Sequence, residues 1–209
     1  MKIAVLGAGM VGRAIALDLA RDFSVTSFDV NVANLALLKE KNERITTINT
    51  DLTAYEHYPE WLSVFDLVVT AVPGFMGFKT LEAVINTGKN VVDISFFPED
   101  ALQLDQLAKE KGVTVITDCG VAPGMSNFII GRYNAEMKVE AFEAYVGGLP
   151  LHPKPPFKYK APFSPVDVIQ EYIRPARLVE NGNIVTKPAL SDRELMDFGK
   201  AGKLEAFNT

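Results

Sequence analysis

Cysteine and histidine are scarce in this 209-residue sequence, which has one cysteine, Cys119, and two histidines, His57 and His152. A single cysteine excludes an intrachain disulfide and is typical of a reducing compartment. Three such side chains fall short of a histidine–cysteine zinc site, so no metal is expected. No apolar run approaches the roughly 20 residues of a membrane span. Arg13 and Asp18 interrupt the apolar N-terminal segment, which argues against a signal peptide and predicts a cytoplasmic protein.

Basic residues are also fewer than acidic ones. The chain has 21 Lys and Arg residues against 26 Asp and Glu residues, so its net charge is −5. A mildly acidic chain lacks the broad basic surface that binds nucleic acid or an anionic membrane. The apolar fraction of 48% is ordinary for a globular protein. We therefore expect a small-molecule partner, with no nucleic acid and no membrane.

Short apolar, β-rich runs alternate with helical stretches over the first part of the chain. The strands are predicted at residues 2–6, 25–28, 45–48, 67–70, 91–94 and 113–117. Continuous apolar strands that alternate with helices are typical of a parallel sheet covered on both faces. The predicted fold class is α/β, with a Rossmann-type doubly wound parallel sheet in a first domain over residues 1–123.

The composition changes after this region. Nine of the twelve prolines lie at or beyond Pro123, and five of them fall within residues 150–162. That density predicts an extended arm rather than a helix. Ser164 followed by Pro165 predicts the start of a short helix, and Asn181-Gly182 predicts a tight hairpin turn. We expect a second, α+β domain over residues 124–209.

A glycine-rich loop follows the first predicted strand and opens the first predicted helix. Its six residues are the first group of candidate cofactor ligands: Gly7, Ala8, Gly9, Met10, Val11 and Gly12. This G-x-G-x-x-G pattern, placed between a strand and a helix, is typical of loops that hold a dinucleotide pyrophosphate at a helix N-terminus.

Asp29 ends the second predicted strand, 17 residues beyond Gly12. An acidic residue at this place binds the ribose hydroxyls of the adenosine, and it repels a 2′-phosphate. No Arg or Lys follows, since the next residues are Val30 and Asn31, which are also candidate cofactor contacts. The pattern favours NAD, with NADP the less favoured cofactor. The alternative is that Asp29 only caps the next helix.

Other polar and loop residues follow the remaining strands, where ligands of open parallel sheets bind. Candidate cofactor contacts there are Asp51, Ala71, Val72, Pro73 and Ser95, and the acidic candidates for binding an amine are Asp93, Glu99 and Asp118. Each acidic residue could equally be a helix cap or a loop residue. Cys119 has no histidine near it in sequence, so packing is the favoured interpretation for its thiol.

Several motifs resemble the saccharopine dehydrogenase-like oxidoreductases, most closely their L-lysine 6-dehydrogenase branch. They are residues 71–78 (AVPGFMGF), 93–100 (DISFFPED), 118–127 (DCGVAPGMSN), 145–150 (YVGGLP), 153–160 (PKPPFKYK), 164–176 (SPVDVIQEYIRPA) and 204–209 (LEAFNT). The resemblance implies a Rossmann domain followed by an α/β substrate domain, and association as a homodimer or higher homo-oligomer. It also implies NAD-dependent oxidation of the ε-amine of lysine, which yields an aldehyde, ammonia and NADH.

The chemistry implied by this resemblance needs a base for the amine and a cation for the amino-acid carboxylate. The candidate bases are Asp93, Glu99 and Asp118. The candidate substrate contacts are Tyr145, Tyr172 and Arg174, with Arg177 as an alternative to Arg174. Other interpretations stay open: a saccharopine or carboxynorspermidine dehydrogenase, a nucleotide-sensing regulatory domain, or an inactive NAD-binding protein.

The resemblance stops at Thr209, partway through the second domain, whereas family chains run to roughly double this length. It implies that the second domain is incomplete here, so this chain is expected to bind NAD but to oxidise lysine poorly. An incomplete sheet would leave an open edge and an apolar face, which favours self-association.

Overall fold

A computed structural model describes residues 1–156, 159–160 and 164–209 of the chain. Contacts within the chain divide it into two compact units, Met1–Phe142 and Glu143–Thr209, which we describe one at a time. The domain boundary expected after residue 123 falls inside the first unit and stays a prediction. Part of the proline-rich arm predicted over residues 150–162, namely positions 157, 158, 161 and 162, lies outside the described residues.

A six-stranded parallel sheet forms the centre of the first unit. Its strands are β1 (Lys2–Leu6), β2 (Ser24–Asp29), β3 (Thr46–Asn49), β4 (Leu67–Thr70), β5 (Asn90–Asp93) and β6 (Val115–Ile116). They lie in the order β3-β2-β1-β4-β5-β6, and every neighbouring pair is parallel. The order runs outward from β1 in both directions, which confirms the doubly wound Rossmann-type sheet.

Both faces of this sheet are covered by helices. These are α1 (Met10–Leu19), α2 (Val32–Lys41), α3 (Tyr58–Trp61), α4 (Gly74–Asn86) and α5 (Asp105–Lys111). A further helix, α6 (Met125–Glu136), has no buried residue. On β1, Ile3 and Val5 belong to one apolar cluster with Leu38, and Ala4 and Leu6 belong to the other. Successive strand residues point to opposite faces, so a strand covered on both sides is apolar throughout.

The structure differs from the predicted elements at a few places. The last strand has two residues, Val115–Ile116, rather than the five expected. A 3-10 turn, Ala101–Leu104, precedes α5, and the Asp100 side chain at its start accepts a hydrogen bond from the Leu102 N–H at 3.0 Å. Sequence periodicity did not predict α6, whose residues are all partly or fully exposed.

The second unit has one α-helix, one 3-10 turn (Gly199–Ala201) and two hairpins among its described residues. The helix α7 (Pro165–Glu171) begins at Ser164, whose hydroxyl accepts from the Asp167 N–H at 3.5 Å. The strands are β7 (Ala176–Glu180), β8 (Asn183–Lys187), β9 (Glu194–Asp197) and β10 (Lys203–Ala206). The β7–β8 hairpin turns at Asn181-Gly182 with positive φ angles of 50° and 77°, as the sequence predicts. The β9–β10 hairpin was not predicted.

No helix among the described residues has the length and apolar character needed to cross a lipid bilayer.

Candidate functional site

The carboxyl ends of the parallel strands of the first unit meet at one edge of the sheet. The strand order reverses direction between the neighbours β1 and β4, and open α/β sheets bind ligands in the crevice at such a reversal. The glycine-rich loop follows β1 directly, and residues 71–73 follow β4. The fold therefore brings the two loops together at this crevice.

Two glycines of the loop are required by packing. Gly7 has φ of +104°, and a Cβ added there would lie 2.4 Å from the carbonyl oxygen of Ala71. A Cβ added at Gly12 would lie 2.0 Å from the carbonyl oxygen of Gly7. These contacts are with backbone atoms, so the first helix can pack this closely on the loop only without side chains at both positions.

Gly9 differs from its two neighbours in the motif. It is the N-cap of α1 with φ of −62°, and a Cβ added there would meet no atom within 4 Å. Glycine has no side chain to accept hydrogen bonds from the first-turn N–H groups, and the following residues Met10 and Val11 are exposed. The open space and the outward N–H groups fit a phosphate at the positive end of a ten-residue helix.

Asp29 holds the corner between β2 and α2 against this loop. One carboxylate oxygen accepts from the Ala8 N–H at 2.6 Å, and the other accepts from the Asn31 N–H at 2.7 Å. The cap of α2 is Asn31, whose side chain accepts from the N–H groups of Ala33 and Asn34 at 2.9 and 3.3 Å. Asp29 is thus placed beside the phosphate loop, where a ribose hydroxyl would lie, and it does not serve as the α2 cap.

The other candidate cofactor contacts lie around the same edge. Asp51 is exposed, and hydrogen bonds from the backbone and hydroxyl of Thr53 lower the pKa of its carboxyl. Val30 is exposed, and the Ala71 N–H donates to the Leu6 carbonyl at 2.8 Å. Val72 is buried, and Pro73 is the N-cap of α4. Their roles as cofactor contacts stay predictions.

Asp93, the last residue of β5, is bonded through its buried carboxyl group to the end of β4 and through its backbone carbonyl to the segment after β6. Its Oδ1 accepts from the Thr70 hydroxyl, and its Oδ2 accepts from the Ser95 N–H at 3.2 Å. The Cys119 N–H donates to the Asp93 carbonyl at 3.0 Å. Burial raises the pKa of the Asp93 carboxyl to about 6, and the charge of Asp118 adds to this rise.

The three candidate bases are therefore in different environments. Asp93 is fully buried, whereas Glu99 and Asp118 are exposed. Asp118 has a positive φ of 55° and lies near enough to Asp93 to affect its pKa. Burial also raises the pKa of Cys119, so its thiol stays protonated, which agrees with a packing role.

Two further residues near this edge were not predicted from the sequence to belong to the site. Thr70 is the polar last residue of an otherwise apolar strand. A polar residue at the end of a buried strand could have predicted a hydrogen bond there, and Thr70 donates one to Asp93. Arg13 donates from one guanidinium nitrogen to the Ala8 carbonyl at 3.0 Å and to the Asn34 side chain at 2.8 Å. Its partner Asn34 lies 21 residues away, so no local pattern indicated the contact.

The Asp93 carboxyl leads to a prediction about stability and pH. Its folded-state pKa is raised, so the folded protein favours the protonated form, and this contribution to stability is full below about pH 4 and is lost as the pH rises through about 6. Between pH 4 and 7 this carboxyl makes the free energy of unfolding fall. We expect that fall to be about 2–3 kcal/mol smaller in Asp93→Asn. Urea unfolding of both proteins at several pH values measures this difference.

Asp51→Asn is the matched control for this experiment. The pKa of Asp51 is lowered, so its replacement should change the pH dependence in the opposite direction. Parallel stability–pH curves for the unchanged protein and Asp93→Asn would contradict the prediction.

The candidate substrate contacts all lie in the second unit. The Tyr145 hydroxyl is 3.0 Å from a Glu143 oxygen and 3.1 Å from a Glu194 oxygen, and the hydrogen bond to Glu143 is the main reason that its pKa rises to about 12. The Tyr172 ring packs against Phe207 with centroids 5.9 Å apart. The charge of Arg174 lowers the pKa of Glu171, which burial raises more strongly. Their substrate roles stay predictions.

Comparison with known families and proteins agrees with this architecture. The profile described as "Saccharopine dehydrogenase NADP binding domain" matches residues 3–116, and "Saccharopine dehydrogenase C-terminal domain" matches residues 120–209. The alpha-aminoadipic semialdehyde synthase of Rattus norvegicus is 27% identical over 193 residues, which cover 88% of this chain and 21% of that protein. The saccharopine dehydrogenase [NADP(+), L-glutamate-forming] of Pyricularia oryzae is 26% identical over 194 residues, covering 87% of this chain and 42% of that protein.

Solved structures show the same fold. Apo saccharopine dehydrogenase (L-Glu forming) from Saccharomyces cerevisiae aligns over 99% of this chain and 49% of that one, with a TM-score of 0.74 and 23% identity. Scyllo-inositol dehydrogenase from Lactobacillus casei, solved with NAD(H) and scyllo-inositol, covers 67% of this chain and 42% of that one, with a TM-score of 0.51 and 18% identity.

The chain thus spans less than half the length of these relatives. Both halves of the described sequence match consecutive domains of one family, and the glycine loop with Asp29 lies in the domain that the family uses for the dinucleotide. The chain belongs to the saccharopine dehydrogenase family of oxidoreductases, with an NAD(P)-binding Rossmann domain at its N-terminus.

Proposed function

We propose that this chain binds NAD in preference to NADP and serves the oxidation of a carbon–nitrogen bond in lysine or an amino acid derived from it. The observation that carries the cofactor part is the Asp29 carboxylate, held at 2.6 Å from the Ala8 N–H of the phosphate loop. A carboxylate in this position accepts a hydrogen bond from a ribose 2′-hydroxyl and repels a 2′-phosphate.

Each part of the site has a distinct task in this proposal. The first-turn N–H groups of α1 bind the pyrophosphate, and the open space at Gly9 lets it approach. Residues 71–73 form the wall beside the ribose. When bound, the nicotinamide accepts the hydride, and the protein orients the amine carbon and removes protons.

Asp118 is the carboxylate that we propose for proton removal from the substrate ammonium group. It is exposed at the sheet edge, whereas Asp93 is enclosed and already accepts hydrogen bonds from Thr70 and Ser95. Asp93 therefore acts as a support for this edge. The amine must lose a proton before its carbon can release hydride, so a base in this place is needed.

The substrate itself has two candidates. In the first, the ε-carbon of lysine loses hydride, the nitrogen loses a proton, water adds to the resulting imine, and ammonia leaves with an aldehyde formed. This reaction is supported by the motifs of the lysine 6-dehydrogenase branch. In the second, the substrate is the secondary amine saccharopine, which the names of the relatives support. Arg174 is our candidate for the amino-acid carboxylate in both.

An assay with lysine and with saccharopine, each with NAD and with NADP, distinguishes the two candidates through the appearance of reduced cofactor. Formation of NADH with lysine alone supports the first, and formation with saccharopine alone supports the second. Since turnover by this chain is expected to be low, each amine is also titrated into NAD-saturated protein, and binding of neither amine would contradict the substrate proposal. A homodimer and a cytoplasmic location also stay predictions.

The cofactor preference has its own test in Asp29→Ser. We expect the difference in binding free energy between NAD and NADP to narrow by about 1–2 kcal/mol, since one hydrogen bond to a charged group and one like-charge repulsion are lost. Calorimetric titration of both dinucleotides into both proteins measures it. Asp22→Ser, a change at an exposed position outside the loop, serves as the matched control. Tighter binding of NADP than NAD to the unchanged chain would overturn the preference.

A further inference from the structure

Arg13 is a half-buried cation beside the phosphate loop, and the proposed function leaves it without a task. It lies in the first turn of α1, four residues beyond Gly9. One of its guanidinium nitrogens, Nη1, donates both to the Ala8 carbonyl at 3.0 Å and to the Asn34 side-chain oxygen at 2.8 Å. The guanidinium therefore spans from the glycine loop to the first turn of α2.

Both acceptors of Arg13 are neutral. Among the ion pairs of residues 1–156, 159–160 and 164–209, none includes Arg13. Guanidinium has five N–H donors in a planar fork, and the two bonds above use Nη1 alone. A half-buried guanidinium with donors to spare, next to an anion-binding loop, is suited to a phosphate ligand.

Arg13 and Asp29 are held by the same two segments. Ala8 accepts from Arg13 through its carbonyl and donates to Asp29 through its N–H. On the other side, Asp29 accepts from the N–H of Asn31, the α2 cap, and Arg13 binds Asn34 one turn further on. The two opposite charges therefore lie around one corner of the site, where the ribose of the adenosine would be.

We propose that Arg13 is a second specificity-determining residue of the dinucleotide site, the cation available to a 2′-phosphate, and that Asp29 opposes it. The selectivity between NAD and NADP is then a balance between these two side chains. This inference rests on the proposed dinucleotide site, because the ribose must lie beside Asp29 for the 2′ position to reach Arg13.

Asp29 and Arg13 should have opposite effects on binding of a 2′-phosphate. Asp29 accepts a hydrogen bond from the 2′-hydroxyl of NAD and repels the negative charges of the 2′-phosphate of NADP. Arg13 adds little for a hydroxyl but forms charge-assisted hydrogen bonds with a phosphate. Removal of Asp29 should therefore improve NADP binding by relieving this repulsion, and Arg13 should then stabilise the bound phosphate.

The test is a cycle of four proteins: the unchanged chain, Asp29→Ser, Arg13→Gln and the double variant. Each is titrated calorimetrically with NAD, with NADP and with 2′,5′-ADP, which carries the 2′-phosphate without the nicotinamide. We expect Asp29→Ser to raise the affinity for 2′,5′-ADP and NADP by about tenfold, and Arg13→Gln in that background to reduce this gain. NAD affinity should change by less than about threefold when Arg13→Gln is added to Asp29→Ser.

Two controls in this experiment distinguish an effect on dinucleotide specificity from an effect on the fold. Gln removes the positive charge and keeps a polar side chain with N–H donors, and thermal unfolding of each variant verifies the fold. Arg21→Gln removes an exposed arginine at the far end of α1, paired with Asp18 at 2.9 Å, and should leave all three affinities unchanged. The salt dependence of 2′,5′-ADP binding should be steeper for Asp29→Ser than for the double variant.

If the folded double variant binds 2′,5′-ADP as tightly as Asp29→Ser does, the assignment of Arg13 is overturned. In that case NAD binding by the unchanged chain would still support the proposed function. If the unchanged chain binds neither dinucleotide, the proposed function fails, and the assignment of Arg13 fails with it.

Discussion

Gly9→Val is expected to abolish NAD binding and to leave the fold intact. A Cβ at this position meets no atom within 4 Å, and the φ of −62° is one that any residue adopts, so the protein tolerates the side chain. The same open space is where a pyrophosphate must approach the first-turn N–H groups. Valine would fill it and hold the phosphates away from their donors, so we expect Kd to rise about 100-fold or more, or about 2.7 kcal/mol.

Titration calorimetry measures the affinity, and circular dichroism with thermal unfolding verifies the fold. Gly131→Val is the matched control, because Gly131 lies in α6 and a Cβ there also meets nothing within 4 Å. That variant should bind NAD as the unchanged chain does. Unaltered affinity in folded Gly9→Val would show that the dinucleotide does not use this loop.

Gly12→Ala is expected to have the opposite effect and destabilise the fold itself. Its Cβ would lie 2.0 Å from the carbonyl oxygen of Gly7, far inside contact distance. The oxygen belongs to a residue whose own N–H is bonded to the Phe28 carbonyl at 2.8 Å, so relief would require movement of the loop and the sheet edge together. We expect a loss of about 3 kcal/mol or more in the free energy of unfolding.

Urea unfolding of Gly12→Ala and Gly9→Ala gives the comparison directly. The two variants make the same chemical change three residues apart in one loop, so they differ only in what the new methyl group meets. Equal stabilities for the two proteins would mean that the close packing of α1 on the loop does not require glycine at position 12.

Local patterns in the sequence were enough for many of the elements. The alternation of Ile3, Ala4, Val5 and Leu6 between two clusters explains why an unbroken apolar run predicted a strand covered on both faces. Ser164 with Pro165 and the Asn181-Gly182 turn act through bonds to near neighbours, so they could be recognised without the rest of the fold. The same is true of the glycine loop between β1 and α1.

Contacts between distant segments could not be predicted in this way. Asp93 is enclosed by segments distant in sequence, including Thr70, 23 residues away, and the chain after β6. Burial raises the pKa of its carboxyl to about 6, although the hydrogen bond from Thr70 lowers it. The sequence placed Asp93, Glu99 and Asp118 after neighbouring strands, but it could not distinguish an enclosed carboxyl from an exposed one. The exposed fraction of a side chain is set by what packs over it, which is a property of the whole unit.

By itself, the sequence determined the strand–helix alternation, the phosphate loop and the acid at the end of β2, because each of these depends on the spacing of residues along the chain. Only the tertiary structure decided that Asp29 accepts from the Ala8 N–H, that Asp93 is enclosed, and that Arg13 reaches the corner where Asp29 lies. These depend on the parallel pairing that brings the ends of separate strands to one edge. Side chains far apart in sequence acquire their electrostatic environment only when that edge is assembled.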